Sequence, residues 1–260
     1  MPERDLALSA RGVQMEYRDR QSGKTLLAID KVDLDVSDGS FVSLLGPSGC
    51  GKSTFLKIVN GLLRATSGEI RLRSAGKARE DAMVFQDAAL FPWYSILDNV
   101  AYGLVCAGVS SKEARKRATP YIDLVGLSGF ADKYPYQLSG GMQQRANLAR
   151  ALAVDSAILL MDEPFAALDA QTREVMQAEL LRIWTAAKKT VLFVTHQIDE
   201  AVYLSDRVVV MAARPGRIIA DVTIDLPRPR VLEVKRAPEF TRYEEQIWRL
   251  IGPHAREPAQ

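Results

Sequence analysis

The chain has 260 residues, with 34 Lys and Arg against 32 Asp and Glu and a formal net charge of +2. That balance argues against a polycationic nucleic-acid binder, and a composition of 47% hydrophobic and 25% charged residues excludes disordered and fibrous classes. The length suits one large α/β domain or two small ones, and no apolar run approaches the roughly 18 residues that a spanning helix needs, the longest being strand-sized near Ala157–Met161. The charged start Met1-Pro2-Glu3-Arg4-Asp5 lacks an apolar signal core, so the expectation is a chain kept in the cytosol. Cys50 and Cys106 are too few for a disulfide framework, and His196 and His254 too few for a multi-histidine metal site; any divalent metal is expected on oxygen ligands.

Short apolar segments predict strands over 6–17, 32–36, 41–45, 69–72, 82–85, 158–161, 191–195, 208–211 and 218–224. The opening strands alternate and follow closely on one another, which points to antiparallel pairing. Helix-period stretches at 52–63, 171–187 and 198–204 lie between later strands, the pattern of βαβ units around a largely parallel sheet. From Trp93 to Asp155 the β-branched runs vanish and helix formers dominate, as in Lys112–Arg117 and Gln143–Leu152, so a helical insertion is expected there. After Ile224 the run Asp225-Leu226-Pro227-Arg228-Pro229-Arg230 blocks helix and central strand alike. A short amphipathic segment over 240–251 follows, and charged tail positions such as Lys235 and Arg236 read as a solvated face.

Chemistry concentrates at strand ends. Phe41–Leu45 runs into Gly46-Pro47-Ser48-Gly49-Cys50-Gly51-Lys52-Ser53-Thr54, which fits G-x-x-x-x-G-K-[ST] between a strand and a helix. Glycines let backbone N–H groups turn onto phosphate oxygens, the following helix adds its positive end, Lys52 adds a point charge and the Ser53 hydroxyl suits Mg²⁺. Cys50 reads as a small filler of that loop. The strand over 157–161 ends in Asp162-Glu163-Pro164, where Asp162 is placed to hold Mg²⁺ and Glu163 to polarise an attacking water; taken alone, the pair is equally two solvated acids before a Pro turn. His196 and Gln86 end two further strands, on the side where parallel sheets bind ligands, and are candidates for γ-phosphate, water or Mg²⁺ contacts.

Leu138-Ser139-Gly140-Gly141-Met142-Gln143-Gln144 opens a helix and has no use in a generic P-loop kinase. It resembles the signature motif of ABC transporter ATPases, and the other motifs follow in that family's order. Gly46–Thr54 resembles Walker A, Gln86 the Q-loop, Ile158–Asp162 with Glu163 the Walker B motif, Ala167-Leu168-Asp169 the D-loop and His196 the switch histidine. The resemblance implies an α/β P-loop NTPase with a mainly parallel RecA-like sheet, an antiparallel N-terminal β-subdomain and an inserted α-helical subdomain. The expected division is a nucleotide-binding core over 1–92 and 156–225, a helical signature subdomain over 93–155 and a short extension over 226–260. It further implies ATP and Mg²⁺ as ligands, and Tyr17 as the aromatic that stacks on adenine, a surface or core tyrosine being the alternative. Two ATP-binding subunits, expected as a homodimer, would pack head to tail so that Ser139, Gly140, Gly141 and Asp169 of one meet the nucleotide of the other. Two transmembrane permease subunits would dock nearby, placing the chain at the cytoplasmic face of a bacterial inner membrane, with a solute-binding protein as an indirect partner and no nucleic acid.

The segments Val84–Trp93, Asp162–Asp169 and Ala213–Ile218 are similar to the nitrate, sulfonate and taurine importer subgroup, which implies an ATPase that energises uptake of a small anion or sulfonate-type solute. Phe91-Pro92-Trp93-Tyr94 is either core packing or, as the resemblance implies, a groove for a helix of the membrane subunits. The alternative from another class is a soluble ABC ATPase acting on nucleic acid or ribosomes; the long coiled-coil or zinc insertions of such proteins are not present in the sequence. Import rather than export rests on the subgroup resemblance and the unfused architecture.

Overall fold

The structure is a computed structural model that describes residues 6–18, 23–73, 79–154, 156–166, 168–187 and 189–255. In chain order its elements are β1 (Leu6–Arg18), β2 (Thr25–Ser37), β3 (Phe41–Leu45), α1 (Lys52–Val59), β4 (Ser67–Leu72), β5 (Arg79–Val84), α2 (Ile96–Cys106), α3 (Ser111–Leu124), α4 (Gly140–Ala153), β6 (Ser156–Asp162), α5 (Ala170–Ala187), β7 (Thr190–Thr195), α6 (Ile198–Leu204), β8 (Arg207–Ala212), β9 (Arg217–Thr223) and α7 (Pro238–Ala255), with short 3-10 turns between some of them. They fall into two compact units, one formed by Met1–Arg73 with Lys188–Gln260 and the other by Ser74–Ala187.

In the first unit β1 lies between β2 and β4, antiparallel to both, as the alternation of the opening strands predicts. Beside this sheet runs the order β7-β3-β8-β9, in which β3 is parallel to β7 and β8, and β9 turns back antiparallel. Every residue of β3 and β7 is buried, the pattern of parallel strands covered on both faces. Phe41 and Phe193 pack their rings 5.8 Å apart between them. Because the N–H and C=O groups of such strands are committed to the ladder, polar chemistry is left to the loops at their carboxyl ends.

Two expectations need correction here. Strand β2 begins at Thr25 rather than Val32, because the alternation is interrupted at Lys31, whose φ of 47° and the accompanying register shift mark a bulge that hides the earlier half of the strand from a period-2 reading. Helix α1 stops at Val59 instead of continuing to Leu63, since Gly61, at φ 78°, takes the left-handed conformation that closes a helix.

The second unit pairs β5 with β6 in parallel and carries the helices α2, α3, α4 and α5. Helices α2 to α4 lie within the stretch whose sequence lacks β-branched runs. They bury Ile96, Val100, Ala114, Ala118, Ile122, Ala146 and Ala149 in one cluster, where the four alanines allow close helix approach. Ser95 and Ser110 cap α2 and α3 by accepting from Asp98 N and Glu113 N.

The tail after Ile224 is tied down by a residue whose role sequence reading misses. Arg230, buried, donates to the carbonyls of Val202, Tyr203 and Ser205 at the end of α6 and to those of Ile224 and Leu226 in its own segment. Helix C-termini expose carbonyls that need donors, and one guanidinium satisfies this set. Burial, with nearby Arg228, lowers the Arg230 pKa to about 10. Lys235 is likewise not on a solvated face: its ammonium lies 3.3 Å from Asp199 and 5.1 Å from the centre of the Tyr203 ring, both on or beside α6. Arg236 is exposed, as expected. Replacing Arg230 with Ala strands several buried carbonyls, which costs about 3 kcal/mol; thermal unfolding followed by circular dichroism is expected to show a midpoint lower by roughly 10 °C.

Candidate nucleotide site

The loop that leaves β3 is shaped by close approach on one side and openness on the other. A Cβ on Gly46 would sit 2.4 Å from the Met211 carbonyl oxygen and 2.8 Å from Cys50 Sγ, so only a hydrogen side chain fits where the loop departs. Gly49, at φ 78°, has nothing within 4 Å of a Cβ position, and Gly51, at φ 90°, caps α1 with no side chain. The first turn of α1 contains no acidic residue, so its N–H groups and dipole face the loop unneutralised. Lys52 is 3% exposed, and its ammonium donates to the carbonyls of Gly46 at 2.8 Å and Pro47 at 3.0 Å. Cys50 is buried within the loop as the expected filler, and burial pushes its thiol pKa up. Pro47, Ser53 and Thr54 are half-buried and Ser48 exposed. The result is a cradle of backbone donors around a buried cation, fitted to a polyanion.

The parallel register brings further predicted residues to this loop. Leu45 of β3 pairs with Thr195 of β7, so Gly46 and His196 leave adjacent strand ends together. His196 is exposed, and the backbone around it is locked. Thr195 Oγ1 donates to Glu200 Oε2 at 2.6 Å and accepts from the Gln197 N–H at 3.0 Å, and Glu200 is only 2% exposed. Sequence reading passes over Glu200 because it reads as an ordinary first-turn acid of α6. Tyr17 lies near the end of β1 opposite Leu26 of β2, both exposed. Three residues further along β2, Ile29 reaches within 3.0 Å of a Cβ position on Gly51, which sets Tyr17 one strand from the phosphate loop.

The second unit gathers Gln86, Asp162 and Glu163. Val84 of β5 pairs with Met161 of β6, so Gln86 and Glu163 each lie two residues past the same register pair. Asp162 is 5% exposed at the end of β6, while Glu163 is half-buried at φ 44°. A non-glycine residue in the left-handed region carries backbone strain of the kind held at reactive positions. The signature opens α4: Ser139 Oγ accepts from Met142 N at 3.3 Å, Gly140 is exposed, and a Cβ on Gly141 would lie 3.4 Å from Leu168 and Thr172. Asp169 accepts from Thr172 N at 3.0 Å, which caps α5, and hydrogen bonding from the Thr172 side chain, with that N–H, lowers the Asp169 carboxyl pKa. Ala167, the remaining D-loop residue, lies outside the described residues.

The same helix α4 reaches back to the loop that carries Gln86. Gln144 donates to Phe85 O, the fully buried Asn147 also donates to Phe85 O, and the Arg150 guanidinium donates to the carbonyls of Ala88 and Ala89 and stands 5.8 Å from the centre of the Phe91 ring. Phe91, Trp93, Tyr94 and Tyr102 cluster with ring centres 4.7 to 6.3 Å apart, Asn99 pins the Phe91–Ser95 turn through its backbone, and Trp93 stands 67% exposed. The cluster is thus a rigid surface patch, not a fully buried core.

Sequence comparison decides the family. A sequence profile described as ABC transporter matches residues 29–166. This chain belongs to the ABC transporter family. Among its relatives are a taurine import ATP-binding protein of Rhizobium johnstonii, 46% identical over 88% of this chain and 90% of that one, and a nitrate import ATP-binding protein of Synechocystis sp., 42% identical over 87% and 89%. A dimeric structure of an ATP-binding cassette in a post-hydrolysis state, bound to ADP and Pi, superposes with a TM-score of 0.74 at 32% identity and covers 85% of this chain and 100% of that one. The expected fold, an ABC ATPase built on a P-loop, is therefore the fold of this chain, and the enzyme is an ABC-type ATPase.

In this ABC ATPase the Thr195–Glu200 pair holds the backbone on both sides of His196. Glu200→Ala frees that backbone and is expected to lower turnover by about tenfold, since small displacements beside the phosphate loop carry large rate penalties, while the KM for ATP stays within about threefold. Steady-state kinetics check the split; a KM effect with unchanged turnover would assign Glu200 to nucleotide binding instead.

Proposed function

We propose that the chain is the ATP-hydrolysing subunit of an importer for a small anion or sulfonate-type solute, working as a pair of copies on two membrane-embedded permease subunits at the cytoplasmic face of the membrane. The observation that carries this reading is the complete set of ABC motifs on strand ends and helix N-termini, in a chain whose relatives bear the names of taurine and nitrate import proteins. Among the described residues no helix is long and apolar enough to cross a membrane, so passage of solute is assigned to partner subunits. The Phe91–Trp93 patch beside the Gln86 loop is the proposed seat of a permease helix, and a solute-binding protein selects the cargo. The relatives' names favour transport over action on nucleic acid or ribosomes.

In this reading the loop N–H groups and Lys52 take the phosphates, and Tyr17 stacks on adenine. Mg²⁺ suits the chemistry of the proposed ligands taken one by one, because the Ser53 hydroxyl, the buried Asp162 carboxylate and the Gln86 amide oxygen are each hard oxygen donors. Held by those residues, Mg²⁺ would supply positive charge to offset the charge that develops on the phosphate oxygens. Glu163 accepts a proton from the attacking water, and His196 and Gln86 contact the γ-phosphate and orient that water. Ser139, Gly140, Gly141 and Asp169 complete the site of the second copy, so ATP joins the pair and hydrolysis releases it.

Glu163→Gln removes the proton acceptor and keeps the shape. It is expected to bind ATP with near-normal affinity and to hydrolyse it about a hundredfold or more slowly. Binding titration alongside phosphate release tests both halves, and near-normal turnover would refute the assignment of Glu163 as general base.

A further inference from the structure

The turn that joins β8 to β9 presses on the phosphate loop. Gly216 is buried there and stitched to β2 from both sides: its N–H donates to Ala28 O at 3.0 Å, and its carbonyl accepts from Asp30 N at 2.8 Å. A Cβ on Gly216 would stand 2.2 Å from the Cys50 carbonyl oxygen, 2.9 Å from Ala28 O and 3.2 Å from the Cys50 carbonyl carbon. The contact is therefore backbone against backbone, with no flexible side chain able to yield.

The peptide it touches, Cys50–Gly51, closes the phosphate loop. In a trans peptide the C=O and N–H point in opposite directions. With Cys50 O turned toward Gly216, the Gly51 N–H points away from the turn. The neighbouring contacts hold the same peptide from other directions: Ile29 and Ala28 O meet the Cβ position of Gly51, and Cys50 Sγ meets that of Gly46.

We propose that Gly216 is a positioning residue for nucleotide binding, holding the Cys50–Gly51 peptide so that the Gly51 N–H is aimed at a nucleotide phosphate before the ligand arrives. It touches neither nucleotide nor metal and acts through the loop. The proposal rests on the reading of residues 46–54 as a nucleotide-phosphate site. In strand β9, Ile218 belongs to the same hairpin, pairs with Met211 and is half-buried, so it offers a control that loosens the hairpin without touching Cys50.

The test is calorimetric titration of the full chain with Mg²⁺-ADP, paired with the ¹H–¹⁵N resonance of the Gly51 amide. Gly216→Ala is expected to weaken ADP binding by about tenfold, the worth of one charge-assisted hydrogen bond, and to abolish the shift of the Gly51 amide on ADP addition while distant amides keep their positions. Ile218→Ala is expected to bind ADP within about twofold of the unaltered protein. Unchanged binding in Gly216→Ala, or equal weakening in Ile218→Ala, overturns the proposal. If Gly216→Ala does not fold, Pro215→Gly decides: it frees the turn without adding an atom against Cys50. A weaker affinity with a displaced Gly51 amide supports the proposal, and unchanged values overturn it. Absence of ADP binding in the unaltered protein overturns the phosphate-site reading itself, and the proposal with it.

Discussion

A buried ammonium held by two carbonyl oxygens and a thiol of its own loop is the constraint around which the first unit is organised. Lys52 is 3% exposed and donates to Gly46 and Pro47 of its own loop. Burying a charge is costly unless it is paired, and these carbonyls offset the cost only in part. The surroundings favour a polyanion as the counter-charge: α1 opens with no acid in its first turn, Gly51 brings no side chain to the cap, and Gly49 leaves the approach open. Polyanion binding here satisfies a demand that folding has already created. The packing of Gly46 against Met211 and of Gly216 against Cys50 then makes the loop a rigid object instead of a flexible strap.

A second constraint links the signature to the loop that carries Gln86. Helix α4 begins at the Ser139 cap and, along its length, spends Gln144, Asn147 and Arg150 on the backbone of residues 85–89. A helix is stiff along its axis, so a displacement at its N-terminus is carried to those carbonyls. The aromatic patch begins immediately after them, at Phe91, and is fixed in turn by Asn99. In the proposed assembly, one end of this rod meets the partner's nucleotide and the other borders the permease seat, which gives ATP binding a mechanical route to transport. Arg230 does comparable work for α6 in the first unit, closing the helix that follows His196 with donors from the tail.

The phosphate loop, the acidic end of β6 and the signature cap were legible in the sequence because their chemistry is local. Glycine spacing, a strand running into Asp162-Glu163 and a serine before a helix are each set within a few residues of one another. The register of the parallel pairs then carried Gly46 beside His196, and Gln86 beside Glu163, with no further information. What stayed hidden depends on partners distant in the chain. Glu200 reads as a surface acid until it meets Thr195, Arg230 as one of several tail cations until it meets the end of α6, and Lys235 as solvated until it meets Asp199. The early part of β2 was lost for a different reason, since a bulge at Lys31 shifts the alternation by which a strand is recognised.

The claim on which the mechanism turns is that each ATP is hydrolysed between two copies, one supplying the phosphate loop and the other the Ser139–Gly141 cap. Turnover per chain measured across about a hundredfold dilution tests it most directly, because a site shared between copies obeys mass action. The shared site predicts that turnover per chain rises with protein concentration and levels off once the pair is saturated. A rate per chain that stays constant down to the lowest concentration, in a protein shown to be monomeric there, would contradict it.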